Sequence, residues 1–133
     1  MITARKSAQA IALAVLSLGF AASGLAQQSA AQRGNATFEH SCAPCHGAGV
    51  GDDGHAMLPG TDALRIKYKG ALPALLEERT DLTATALKTF LRHGSFSMPP
   101  FRQTEVTDAD IQDLAAYLAM SSKAAAAKSQ RGR

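Results

Sequence analysis

Cys42-Ala43-Pro44-Cys45-His46 decides how the rest of this chain is read. The five residues have the form C-x-x-C-H, the attachment pattern of a c-type haem. Two thiols three positions apart can each add to one of the two vinyl groups on a porphyrin edge. The histidine that follows is then held beneath the iron and offers it an imidazole nitrogen. Competing readings account for less of the motif. A structural zinc site uses four Cys or His ligands, usually in two knuckles, and the chain has no cysteine beyond these two. A thioredoxin-like pair sits near a βαβ pattern, and no strand-rich segment is visible. A disulfide between Cys42 and Cys45 would close a very small loop and leave His46 without a role. The expected cofactor is one covalent haem c, bonded through Cys42 and Cys45, with His46 as an axial ligand.

Upstream of the motif, Met1 to Ala26 reads as a secretory signal. Arg5 and Lys6 give a positive start, and Ile11 to Phe20 is an apolar run too short to span a bilayer and stay there. Gly24-Leu25-Ala26 supplies small residues for cleavage ahead of Gln27. An uncleaved membrane anchor is the competing reading. Export suits the motif, because c-type haem is attached outside the cytoplasm, so the expected location is the periplasm with no stable membrane insertion. The domain division that follows is 1–26 signal, 27–120 haem domain, and 121–133 a basic, disordered tail. Without residues 1–26, 107 of the 133 residues remain, enough for one small domain.

The formal charge of +3 misdescribes that domain. Losing Arg5 and Lys6 from the 14 basic residues leaves 12 against 11 acidic ones, and four of the 12 (Lys123, Lys128, Arg131, Arg133) lie in the tail. The body therefore carries 8 basic and 11 acidic residues, which argues against nucleic acid as a partner. Tryptophan is absent, and Phe38, Phe90, Phe96 and Phe101 are the phenylalanines left after cleavage. So small a chain gains from a large apolar cofactor at its centre.

The spacing predicts an all-α domain. Gln27 to Gln32 reads as a frayed lead-in, and a first helix runs from about Ala31 into the motif, with Gly34 and Phe38 on one face. Glycines break Gly47 to Gly54. Thr61-Asp62 then caps a short helix through Tyr68, and Ala74 to Glu78 makes a further turn. Thr80 to Thr83 precedes a helix whose Leu87, Phe90 and Leu91 form an apolar stripe, ended by Gly94. Thr107 caps the clearest helix, whose stripe is Ile111, Leu114, Ala115 and Leu118, with Tyr117 alongside.

The iron's other face needs a ligand or an open position. Met57, Met98, Met120, His40, His55 and His93 are the candidates. His40 is too near the motif to cross over, Met120 falls near a fraying end, and His93 suits a solvated helix terminus. Met57 and His55, in a glycine-bounded loop, stay open on chemistry alone. Met98 is preferred, since Met98-Pro99-Pro100 is a non-helical strip stiffened by two prolines that can hold a thioether still.

Together these residues resemble the class I cytochromes c from Gly34 to Leu118. That resemblance implies a small cytochrome c fold of three to five helices around one haem, with Gly34 and Phe38 against Leu114 and Tyr117. It implies Met98 as the axial thioether. It also implies a proline carbonyl accepting the Nδ1–H of His46, for which Pro59 is the closest position. The strip Met98-Pro99-Pro100-Phe101 looks most like the cytochrome subunits of p-cresol methylhydroxylase-type flavin dehydrogenases. The expected role is a non-catalytic, one-electron carrier, since His/Met ligation leaves substrate nowhere to bind. Its donor would be a flavin or quinone-type dehydrogenase, and its acceptor an oxidase or another cytochrome. A permanent subunit of a flavin-dependent dehydrogenase is the alternative. A five-coordinate sensor or peroxidase-like enzyme would follow if every methionine were a spectator. Arg92, Arg102 and the Arg65, Lys67, Lys69 run are candidates for steering partners or pairing haem propionates.

Overall fold

Five α-helices and one 3₁₀ turn make up the computed structural model, which describes residues 28–52 and 54–132. The export signal expected over residues 1–26 lies outside the described residues. The helices are α1 (Ala30–Ser41), α2 (Ala43–His46), α3 (Pro59–Tyr68), α4 (Ala84–His93) and α5 (Asp108–Arg131), with the 3₁₀ turn at Leu76–Glu78. Among the described residues no strand forms, and Ser95 and Met98 make an isolated bridge. The all-α expectation holds.

Capping chemistry sets the two ends that matter most. Ser29 and Gln32 form a capping box, with Gln32 N–H donating to Ser29 Oγ at 3.2 Å and Ser29 N–H donating to Gln32 Oε1 at 2.8 Å. The lead-in read as frayed therefore already orders the first turn of α1. Thr107 and Asp110 make the same reciprocal pair at the start of α5. The other end of α5 continues through residues 121–131, where the sequence suggested a fraying helix end and a disordered tail. Ala124 to Ala127 are the best helix formers, and Lys128 and Arg131 complement the negative end of the dipole.

α1 and α5 pack backbone to backbone. Gly34 is buried on α1, and a Cβ built there would lie 2.8 Å from Leu114 N and closer still to the Asp113 carbonyl. One turn on, Phe38 meets Tyr117 with ring centroids 5.4 Å apart and a 46° tilt. Both implied contacts are present. Arg33 clips the crossing from outside, its Nε and Nη2 donating to Asp113 at 2.6 and 2.9 Å. Arg33 is exposed, so solvent screens the pair and it adds little to stability. Ile111, Leu114 and Leu118 carry the buried stripe of α5, and Leu87, Leu91 and Val106 close the core from the α4 side. Phe90, expected in the α4 stripe, is instead 41% exposed. Leu87 and Leu91 already fill the facing row, and Phe90 sits at its edge.

Tyr117 links this core to the 3₁₀ turn by donating its hydroxyl to Glu77. Burial, then that hydrogen bond, push the phenol well above its ordinary value of 10.0. A group whose folded pKa is raised contributes stability below its unfolded pKa and loses it as pH rises past that value. Stability should therefore fall above pH 10, and Tyr117→Phe should flatten the fall in urea titrations. Equal slopes in both proteins would refute the assignment.

Candidate functional site

The motif sits on one tight helical turn. Cys42 ends α1, its N–H donating to Phe38 O at 2.8 Å, and its own carbonyl receives Cys45 N–H at 3.1 Å and His46 N–H at 2.8 Å. Pro44 occupies the first turn of α2, where its missing N–H costs nothing. Both thiols are free; Cys45 is exposed, while burial and the neighbouring Cys45 push the Cys42 thiol up to about 11. Burial lowers the His46 pKa, favouring the neutral imidazole that can ligate a metal.

His46 Nδ1 is buried with no hydrogen-bond partner. In this structure it makes no hydrogen bond to the Pro59 carbonyl. Pro59 is the first residue of α3, so its carbonyl points along the helix. Its neighbour does the work instead. A Cβ on Gly60 would lie 2.7 Å from His46 Cε1 and 2.8 Å from both Nδ1 and Cys45 O. Bare α3 backbone is therefore one wall of the imidazole slot. Thr61, read as a helix cap, is buried and donates its hydroxyl to Gly47 O at 3.1 Å, while Leu58 holds the cap position. That bond ties α3 to the residue after His46.

These residues fit a covalent haem c. Two free thiols share one turn, burial favours the neutral imidazole, and enclosure of Nδ1 leaves Nε2 to meet a metal.

Met98 lies on the strip between α4 and α5. Gly94 ends α4 at φ 71°, and a Cβ there would lie 2.7 Å from Met98 O. Ser95 N–H donates to Met98 O at 3.0 Å, and Met98 N–H returns to Ser95 O at 2.9 Å. Met98 is partly buried against the core cluster that Cys42 and Ala43 also touch. The motif and the thioether thus border one apolar cluster. Sequence reasoning missed Phe96, at the tip of this turn, which is fully exposed and holds φ at 52°.

Met120 is 53% exposed on α5, His40 is exposed on α1, and His93 Nδ1 lies 2.9 Å from Thr89 O. His55 and Met57 line a groove beside Pro59, Ala63 and Ile66. Met57 also borders Gly47 and Thr61, on the flank that carries His46.

Most charges proposed for steering are paired. Arg65 bonds Asp62 at 2.8 Å and Arg102 bonds Glu105 at 2.7 Å, both three residues apart. Lys67 lies 5.2 Å over the Tyr68 ring. Arg92 turns inward with its side chain 15% exposed. Arg79 escaped the sequence reading altogether, yet it is buried, forked onto Asp81 at 2.9 and 2.5 Å, and stacked 4.7 Å over Tyr68. The Arg-x-Asp spacing ahead of the Thr83 cap was its one available signal. Among the described residues no helix is long and apolar enough to cross a membrane.

A family model described as cytochrome C oxidase, cbb3-type, subunit III matches residues 29–118. The match begins at the Ser29 cap and takes in the motif, Gly60, Met98 and α5 as far as Leu118. Comparison with curated proteins and with solved structures gives no match in either case.

Proposed function

The chain belongs to the cbb3-type cytochrome c oxidase subunit III family, and from that membership we propose a periplasmic one-electron carrier with a single haem c bonded to Cys42 and Cys45 and ligated by His46 and Met98. Membership makes it a c-type cytochrome, with covalent haem c, an electron-transfer role and redox proteins as partners. Domains of this kind act as electron carriers rather than catalysts. When bound, haem supplies a one-electron iron couple, whose potential a thioether ligand raises relative to a second histidine.

This chain's residues supply the rest. Cys42 and Cys45, on one turn, would fix the porphyrin edge. Gly60 admits the His46 ring to its slot and Thr61 pins the following backbone. The observation that carries the Met98 assignment is its closed turn. Two hydrogen bonds to Ser95 hold it, and it borders the same cluster as Cys42 and Ala43. A ligand held so tightly changes position little between oxidation states, which favours rapid electron exchange over substrate binding. Met98→Ala should abolish the sulfur-to-ferric-iron absorption band and open the ferrous protein to carbon monoxide. An unchanged spectrum would exclude Met98 as the ligand.

A flavin or quinone-type dehydrogenase is the proposed donor and an oxidase or second cytochrome the acceptor. The family description, which names an oxidase subunit, supports the acceptor side. Export to the periplasm rests on the residue 1–26 signal and on the site of haem attachment.

One observation favours a second reading, a permanent cytochrome subunit of a p-cresol methylhydroxylase-type flavin dehydrogenase. It rests on the resemblance of the Met98-Pro99-Pro100-Phe101 strip, beside which Phe96 is fully exposed. Native purification separates the two readings: flavin absorbance travelling with the haem supports the subunit, and a haem-only monomer supports the carrier.

A further inference from the structure

The Ser95–Met98 turn closes one end of the strip, but the prolines that follow need an anchor from outside it. Pro99 and Pro100 have no N–H to give, and Gly94 to Val106 contains no helix. Its anchor is α4. Phe101 N–H donates to Leu91 O at 2.7 Å, and from the next residue Arg92 reaches across the strip. Arg92 Nη1 donates to Phe101 O at 3.2 Å, and Nη2 donates to Val106 O at 2.8 Å and to Asp108 Oδ1 at 2.8 Å. The other oxygen of Asp108 receives Lys88 Nζ at 2.7 Å. One guanidinium thus gathers two strip carbonyls and the first residue of α5. A planar fork suits that task, and a point-charge ammonium does not.

We propose that Arg92 is a positioning residue for the sixth ligand, clamping the strip so that the Met98 thioether stays on the iron. This rests on Met98 being that ligand. The role differs from partner steering, because the guanidinium faces inward and its hydrogen bonds end on the strip's own backbone. It also differs from a purely structural bond, because the clamped segment has one chemically special residue. Loosening the strip should raise the fraction of molecules in which the thioether is off the iron, so an external ligand competes more easily.

The test is imidazole titration of the ferric, haem-loaded protein, for the parent, Arg92→Met, Arg92→Lys and Met98→Ala. Arg92→Met should bind imidazole about tenfold more tightly than the parent, the scale of one net charged hydrogen bond. Arg92→Lys should fall between them, because an ammonium can keep only part of the fork. Should Arg92→Met fail to fold, Arg92→Lys and Asp108→Asn carry the same comparison with smaller shifts in the same direction. Imidazole affinity within twofold of the parent, even with a lowered melting temperature, would overturn the clamp. An unchanged sulfur-to-iron band in Met98→Ala would instead remove its premise, and the two failures are distinguishable.

Discussion

Gly34→Ala is expected to lower the melting temperature by roughly 12–24 °C and to cost much of the yield of folded protein. The added methyl group would sit 2.8 Å from Leu114 N and nearer still to the Asp113 carbonyl. Those atoms are backbone in the middle of α5, so no side chain can swing away. Relief requires α1 and α5 to move apart along the whole crossing, loosening Phe38 from Tyr117 as well. Alanine recovers about 0.5–1 kcal/mol of helix propensity over glycine. Overpacking a core costs about 1–3 kcal/mol and more when nothing yields. A net loss of about 3 kcal/mol is a large part of a small domain's total of about 5–15 kcal/mol, and each kcal/mol moves the melting point by roughly 4–8 °C at this size. Gly132→Ala is the control, since the nearest atom to its Cβ would be 3.8 Å away. Matching melting curves for Gly34→Ala and the parent would show that the helices do not touch there.

Gly60→Ala should leave haem attached but dislodge its histidine. The methyl group would meet His46 Cε1 at 2.7 Å and Nδ1 at 2.8 Å, with Cys45 O at 2.8 Å closing the remaining side. The imidazole has to tilt or retreat, and either movement takes Nε2 off its line. Attachment depends on Cys42 and Cys45, which the change does not touch. The intact mass should therefore still include haem, while the ferrous spectrum changes and carbon monoxide binds on the vacated face. A parent-like spectrum, with no carbon monoxide binding, would show that the slot accommodates the extra carbon. The fold should suffer less than in Gly34→Ala, because α3 can shift where the α1–α5 crossing cannot.

The legible parts of this molecule were those governed by chain-local rules. Thr83 and Thr107 accept from backbone N–H groups three residues on, and Gly94 takes a positive φ, because caps and terminators are decided within a few residues. The α1–α5 pairing was foreseeable through resemblance, since Gly34 and Phe38 share a face. Thr61 looked equally like a cap, but its hydroxyl is claimed by Gly47, a partner fourteen residues away. No local pattern encodes that. Gly60 has the same difficulty, as its importance lies in what stands opposite it in space. Pro59 took the attention, although the proline's carbonyl belongs to α3 and the neighbouring glycine meets the ring. Arg92 looked like a surface charge because arginine usually is one; only the return of the strip over α4 turns it inward. The stretch after Ser121 poses a different difficulty. Its low complexity suggested disorder, but alanine gives up almost nothing on entering a helix.

That last extension gives the molecule an electrical polarity. Lys123, Lys128 and Arg131 follow Ser122 on α5 with no acidic residue among them. The residues from Gln27 to Met120, with 8 basic and 11 acidic side chains, carry the opposite balance. At 1.5 Å per residue, the eight steps from Lys123 to Arg131 set the positive pole about 12 Å further along the helix axis. A particle charged in this way feels a torque in any external field, not only a pull. It arrives at a charged surface already turned, so its approach is oriented before any atom makes contact.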